Sequence, residues 1–442
     1  MAGESAPQRL AIETRGRLDG RVAVPGSKSI TNRALLLAAL ADGTSRLTGG
    51  LESDDTVVMR AALEATGIGL EAETAGSADP AESWVVQGRG GRFEIPEPTS
   101  DGGLVLDCGN SGTTVRFLTA ALTLATGSVV VDGNARMRER PISDLVTCLR
   151  DLGAEVTIEG SDDCPPIRLA GGGLPGGAAL IDGSQSSQYV SAIALIAPYA
   201  DEDIELDFKD GVIVSRPYID LTLQVMGAFG ARAEWRDRDR LWIKAGQHYQ
   251  ARDYTIEPDA SSAAYAFCAA AIAGGRVSVS GVPADSQQAD FKILGLLERM
   301  GCGVERDGDT VSVTGPKDAL RSLGEIDMND FPDAALAYAV VALFADGPTT
   351  IQNVANLRIK ETDRLAALET ELRKLGARAQ TGPDWLRIEP APMRGAEIET
   401  YDDHRMAMSF ALAGLRIPGV VILDPGCVSK TWPAYFEAFQ GL

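Results

Sequence analysis

Six short stretches of the chain place hydroxyl, amide and charged side chains at the start of an apolar run, a pattern suited to holding small anions. The first is "VPGSKSITNRALLLAALADGT" at residues 24–44, with Lys28, Ser29 and Arg33. The others carry Asn110, Gly112, Thr113 and Arg116; Ser186, Ser187 and Gln188; Asp259 and Ser261; Asp330 and Asp333; and His404 and Arg405. A helix N-terminus offers free backbone N–H groups and the positive end of a dipole, so anions settle there. Ser, Thr, Asn and Asp at such positions are also ordinary helix caps, and either reading fits any single tip. Lys28 and Arg33 differ, because a cation opposes the dipole at a helix start. With Arg116 and Arg405 they read as functional charges. The first tip is not a nucleotide loop: Ser27 separates Gly26 from Lys28, where a Walker loop needs Gly-Lys together. "GGGLPG" at 171–176 matches G-x-G-x-x-G in letters only. It holds a proline and no helical pattern follows, so it reads as a loop.

The elements that position these tips form a repeat. The tip, an Ala/Leu-rich helix, a short turn and a Val/Ile/Leu-rich strand recur six times, at intervals of 71 to 83 residues. A second helix follows in most copies and stops near a glycine: Gly67, Gly153, Gly230, Gly301 and Gly376. In the fifth copy Leu365, Leu368, Leu372 and Leu375 trace one face of that helix. The sixth copy ends without a returning strand, and "RLAIET" near the N-terminus is placed to supply it. The first helix of each copy is apolar all round, which predicts burial on every side. Sheets would then wrap inner helices, inverting the usual α/β barrel, with the six units packed as two globules of three.

Charged motifs lie between the tips. "DGNARMRERPISDL" sets Arg136, Arg138 and Arg140 before a helix starting near Pro141. "NLRIKETDRLAAL" predicts Lys360 and Arg364 on one helix face with Glu361 beside them, although a solvated charged turn is the plainer reading. "DPGCVSKTWP" brings Lys430 in front of the last helix.

Bulk composition narrows the function classes. The net charge of −21 over 442 residues supplies no broad basic surface, which argues against nucleic-acid binding. The six cysteines are scattered without a Cys-x-x-Cys pair, as in a reduced cytoplasmic protein. Two histidines are too few for a His-built zinc site. "MAGESAPQRLAIET" lacks the regions of a signal peptide, and no apolar run is long enough to span a bilayer.

The motifs "VPGSKSITNRALLLAALADGTS", "LESDDTVVMRAAL", "DCGNSGTTVRFL", "DGNARMRERPI", "DGSQSSQY", "NLRIKETDRL", "DDHRMAMSFALAG" and "VSKTWPAYFE" together resemble those of the 5-enolpyruvylshikimate-3-phosphate (EPSP) synthase family, in its order and across essentially the whole chain. The resemblance implies an α/β fold, a two-domain inside-out α/β barrel of three βαβαββ units per domain with buried helices. It implies one domain from residues 1–24 and 256–442, a second from 25–255, and an active site in the interdomain cleft. The implied reaction moves enolpyruvyl from phosphoenolpyruvate to the 5-hydroxyl of shikimate 3-phosphate, with no metal or organic cofactor. A cytoplasmic monomer acting on these two small polyanions, without a nucleic-acid or membrane partner, is expected.

By similarity, Lys28, Ser29, Arg33, Ser186, Ser187, Gln188, Ser215, Tyr218, Asp333, Asn356 and Lys360 would bind shikimate 3-phosphate. Lys28, Asn110, Gly112, Arg136, Gln188, Arg364, His404, Arg405 and Lys430 would surround phosphoenolpyruvate. Asp333 would act as base and Glu361 as acid, with Lys28 beside the departing phosphate. Glu361 must carry a proton to act. Gly112 is expected to leave room at the phosphoenolpyruvate end and with it sensitivity to glyphosate. Phe117 stands where many members carry proline, and Arg216 and Leu357 replace a common Lys and Trp; none is expected to touch a catalytic group. The alternative is the sister enolpyruvyl transferase acting on UDP-N-acetylglucosamine, which usually uses a loop cysteine as acid. A binding ring such as a DNA clamp would need cationic inner helices, and these are apolar.

Overall fold

A computed structural model of the chain describes residues 8–73, 82–96 and 103–442. The stretch up to Pro7, read above for a signal peptide, lies outside the described residues. Helices come in pairs. α1 (Lys28–Leu40) and α2 (Asp54–Ala65) are followed by α3 (Gly112–Ala121) and α4 (Ser143–Asp151), then α5 (Ser187–Ile196) and α6 (Arg216–Ala228). The second half repeats the scheme with α7 (Ala260–Ala273) and α8 (Ile293–Arg299), α9 (Ala335–Ala342) and α10 (Arg364–Lys374), and α11 (His404–Gly414) and α12 (Tyr435–Gln440).

The first helix of each pair is an inner helix. α7, α9 and α11 are buried along their whole length, and α1 is buried everywhere beyond Lys28 and Ser29. Ala and Leu make this affordable, since they hide no polar side-chain atoms, and each fully buried Leu contributes about 1.5–3 kcal/mol. The second helices are amphipathic. α10 turns Leu365, Leu368 and Leu372 inward, with Leu375 buried just beyond its end, as their spacing predicts. The five glycines named above, after α2, α4, α6, α8 and α10, take positive φ, from +84° at Gly67 to +106° at Gly376, which ends the helix without a Cβ clash.

Each inner helix connects two strands that could pair in parallel. Leu104–Asp107 pairs with Thr126–Asp132, Gly177–Gly183 with Ile204–Ile213, Gly324–Asp327 with Thr349–Gln352, and Glu397–Ile398 with Val421–Leu423. Around α1 and α7 the leading strands are exchanged. Leu18–Val22, which precedes α1, pairs with Gly275–Val279 after α7, while Asp253–Thr255, which precedes α7, pairs with Asp42–Gly50 after α1. The expected contribution of "RLAIET" is present, since Arg9–Ala11 pairs antiparallel with Val421–Leu423. Among the described residues five four-stranded sheets and one three-stranded sheet result. The chain divides into two compact units: one is Gly26–Ile256, and the other joins the residues up to Pro25 with Glu257–Leu442.

Candidate functional site

The unit Gly26–Ile256 assembles its polar residues at the starts of α1, α3, α5 and α6. Lys28 opens α1 and is held by Asp55 in the first turn of α2, 2.9 Å away and almost fully buried. One turn on, Arg33 is buried, and among the described residues its partners are uncharged. Its Nε donates to Thr222 Oγ1 at 2.8 Å and its Nη1 to Ser29 Oγ at 2.6 Å. Its Nη2 donates to Ser191 Oγ at 3.4 Å and to the Tyr218 carbonyl at 3.3 Å. The Phe117 ring lies 5.3 Å from its guanidinium carbon. Burial pulls the Arg33 guanidinium down to about 10, still charged at neutral pH. Ser215 sits ahead of α6 with φ +53°, a left-handed conformation that costs a non-glycine residue energy. Ser186 caps α5 by accepting from the Gln188 amide, and Gln188 Nε2 donates to Thr113 Oγ1 at 3.1 Å, tying α5 to α3.

A second group surrounds the start of α3. Arg116 Nη1 donates to the Gly112 carbonyl at 2.9 Å, and Arg140 Nη1 donates to Asn110 Oδ1 at 3.3 Å. The ends of two arginines come close to Gly112. A Cβ added there would fall inside contact distance of Arg116 Nη1 and lie 2.7 Å from Arg140 Nη2, so two buried guanidinium ends fill the space. Arg136, from the same motif as Arg140, pairs with Glu139 at 2.9 Å and is partly exposed.

In the other unit the polar tips converge on Asp333. Arg364 Nη1 lies 3.1 Å and Lys360 Nζ 3.7 Å from Asp333 Oδ1, and Arg405 Nη2 lies 3.1 Å from Oδ2. Arg364 also reaches Glu361 at 2.8 Å and grips Asp403 through Nε at 2.7 Å and Nη2 at 3.2 Å. Burial pushes the Asp333 carboxyl up, but Arg405, Lys360 and Arg364 together outweigh it and hold it well below the ordinary carboxylate range. Burial alone would lower Arg364; Asp403, Glu361 and Asp333 reverse this and raise it. Asp403 caps α11 by accepting from the Arg405 amide at 2.9 Å, and Arg405 Nη2 also donates to Ser261 Oγ at 3.3 Å. His404 is buried with Nδ1 3.8 Å from Asp403 Oδ1. Asn356 is buried in the turn before Lys360, and Lys430 in the turn before α12.

One sequence expectation fails in detail. Lys360 and Arg364 do not share a helix face, because Asp363 caps α10 by accepting from the Ala366 amide and the helix begins only at Arg364. Lys360 precedes it in a bend, yet both cations still reach Asp333.

The EPSP synthase family, described as 3-phosphoshikimate 1-carboxyvinyltransferase, matches residues 12–439. The chain belongs to the EPSP synthase family. It is 47% identical to the 3-phosphoshikimate 1-carboxyvinyltransferase of Sulfurovum sp. (strain NBC37-1), over 96% of this chain and 97% of that protein. It is 46% identical to that of Edwardsiella ictaluri over 98% of both. The Arabidopsis thaliana protein, named chloroplastic, is 47% identical over 98% of this chain and 84% of its own length. The solved EPSP synthase of Acinetobacter baumannii superposes with a TM-score of 0.79 at 26% identity, covering 98% of each chain.

Within this EPSP synthase framework, the tip pattern singles out neither Asp55 nor Asp403, because each is a carboxylate serving another site residue: Lys28 and Arg364. Thr222 and Ser191 hide in the interiors of α6 and α5, where only contact with Arg33 reveals them. Phe117, noted as a departure from other EPSP synthases, is the ring beneath Arg33. Arg216, another departure, stacks on Trp235 at 3.9 Å. All six cysteines are free and buried, and burial pushes Cys148, Cys302 and Cys427 up to about 12. Such thiols are poor acids at neutral pH, so nothing here favours the cysteine-dependent sister transferase. Among the described residues no group of three or more His, Cys, Asp or Glu side chains is arranged to hold a metal, and no helix is long and apolar enough to cross a membrane.

Proposed function

We propose that the chain transfers the enolpyruvyl group of phosphoenolpyruvate to the 5-hydroxyl of shikimate 3-phosphate, releasing inorganic phosphate. Near end-to-end identity of 46–47% to proteins named for this reaction carries the reading. Arg33, with Ser29, Ser186, Ser187, Gln188, Ser215 and Tyr218, is proposed to bind shikimate 3-phosphate, joined by Asn356 and Lys360. A buried guanidinium whose partners are hydroxyls and carbonyls keeps its charge for an incoming anion. Asn110, Gly112, Arg136, Arg364, His404, Arg405 and Lys430 are proposed for phosphoenolpyruvate.

In the proposed chemistry Asp333 takes the proton of the 5-hydroxyl as its oxygen bonds to C2 of phosphoenolpyruvate. Glu361 delivers a proton to the methylene carbon, giving a tetrahedral intermediate with a methyl group. The methyl then returns a proton to the Glu361 carboxylate, the C–O bond to phosphate breaks with Lys28 beside the leaving oxygen, and the enol ether forms as inorganic phosphate departs. Each acid–base group contributes about 10²–10⁴-fold. Two features of the site set conditions on this scheme. The cations around Asp333 weaken it as a base, and a proton on Glu361 competes with the guanidinium of Arg364 2.8 Å away. Anionic substrates that engage Lys360, Arg364 and Arg405 would loosen both constraints. A cytoplasmic location is proposed on the six free thiols; a monomer is proposed with it, and light scattering at one chain mass of 46.6 kDa checks that.

The test mixes protein, shikimate 3-phosphate and phosphoenolpyruvate without added metal and follows phosphorus by NMR. Free phosphate and a new enol ether are expected. Turnover with UDP-N-acetylglucosamine in place of shikimate 3-phosphate, and none with it, would overturn the assignment.

A further inference from the structure

α10 grips the segment before α11 at two points seven residues apart, which places both on one face of the helix. The first is the bidentate grip of Arg364 on Asp403. The second is Glu371, a carboxylate with no exposed surface, which accepts from Tyr401 Oη at 2.7 Å and from the Glu399 amide at 3.2 Å. Lys374 Nζ pairs with it at 2.8 Å. Between the grips lie Tyr401 and Asp402, with φ +56° and +53°. Two consecutive non-glycine residues in the left-handed region are strained and persist only where their surroundings impose them. The next residue, Asp403, is fully buried; it aims Arg364 and caps the helix turn that presents Arg405.

We propose that Glu371 and Tyr401 are positioning residues for phosphoenolpyruvate binding: by clamping the left-handed turn at 401–402 they set the place of Asp403, and through it the guanidinium groups of Arg364 and Arg405. Burial, and then the Glu371 carboxylate, push the Tyr401 hydroxyl up, so it stays a proton donor across the working pH range. The clamp contributes no atom to the reaction. Its first effect falls on Arg364 and Arg405, both assigned to phosphoenolpyruvate, whereas Ser29, Arg33 and Ser215, assigned to shikimate 3-phosphate, belong to the other compact unit.

The inference rests on the proposed reaction, and its test separates the two. Tyr401→Phe keeps the ring and removes the hydroxyl; Glu371→Gln keeps an acceptor for that hydroxyl; Glu371→Ala removes the clamp. In steady-state assays Tyr401→Phe is expected to raise KM for phosphoenolpyruvate about fivefold and leave KM for shikimate 3-phosphate unchanged, with Glu371→Gln within about twofold of the parent. Equal rises in both KM values, or a lowered melting temperature with neither KM altered, would overturn the clamp. If Glu371→Ala does not fold, Tyr401→Phe still decides. Hydrogen exchange gives a readout independent of turnover. The Arg405 amide is expected to exchange faster in Tyr401→Phe, and unchanged exchange overturns the clamp even if the parent protein proves inactive on these substrates. An inactive parent with faster exchange would overturn the reaction and leave the clamp standing.

Discussion

Arg33 and Arg364 are both buried guanidinium groups on helices whose polar ends carry the proposed site, and they are held in opposite ways. Arg33 is solvated by hydroxyls, backbone carbonyls and an aromatic face. Arg364 is surrounded by Asp333, Glu361 and Asp403. The first is buried with no counterion among the described residues, and its affinity for the proton falls; the second is over-compensated, and its affinity rises. A charge left uncompensated inside a fold is worth little to stability and much to a ligand that completes it. A charge neutralised by three carboxylates does structural duty first, and meets a ligand by exchanging one partner for another.

The largest expected effect follows from removing the compensated cation. Arg364→Met strands Asp403, which has no exposed surface, and takes a cation from Glu361 and Asp333; it is expected to cost about 3–5 kcal/mol in urea unfolding and to abolish measurable turnover. Arg33→Met removes a cation that other residues only solvate. Stability within about 1 kcal/mol of the parent is expected, with KM for shikimate 3-phosphate raised about 10- to 100-fold. Equal destabilisation by the two substitutions would erase the distinction between them.

Acid sensitivity separates the two regions next. The folded-state value of Asp333 is depressed below its ordinary value of about 3.9. Its stabilisation is therefore complete above that ordinary value and is lost as pH falls below it. Asp333→Asn should flatten the fall of melting temperature below about pH 4, whereas Arg33→Met should leave that limb as steep as in the parent. Gly112→Ala is a smaller perturbation. The new methyl must shift the ends of Arg116 and Arg140, and KM for phosphoenolpyruvate is expected to rise about three- to tenfold without loss of the fold. Smallest is Phe117→Leu, which removes the π face under Arg33; KM for shikimate 3-phosphate is expected to rise about two- to fivefold.

The inner helices were legible because burial on every side leaves a compositional trace: α7, "ASSAAYAFCAAAIA", carries no charge at all. The second helices were legible through their leucine spacing and terminal glycines. The tips were legible as places, since cap residues announce helix starts. What each tip side chain meets was not, because partners come from remote positions. Arg33 and Thr222 are 189 residues apart, and Arg364 and Asp403 are 39 apart. The same limit holds at Gly112, where only the structure shows that two arginines from its own and the next motif crowd the position. Lys360 was placed on a helix because Asp363 was not recognised as the cap; a carboxylate directly before "RLAAL" was the available signal.

The strand exchange around α1 and α7 sets a timetable for synthesis. Leu18–Val22 leaves the ribosome early, yet its parallel partner, Gly275–Val279, follows only after the whole of Gly26–Ile256. At about 5–20 residues per second, that is a wait of roughly 10–50 s. During it the unit Gly26–Ile256 can reach completion as soon as Asp253–Thr255 emerges to pair with Asp42–Gly50. The early strand meanwhile has an unpaired edge, and its polar Asp19 and Arg21, alternating with Leu18, Gly20 and Val22, are the kind of residues that discourage premature pairing. The nascent chain thus finishes its middle before it can close its ends.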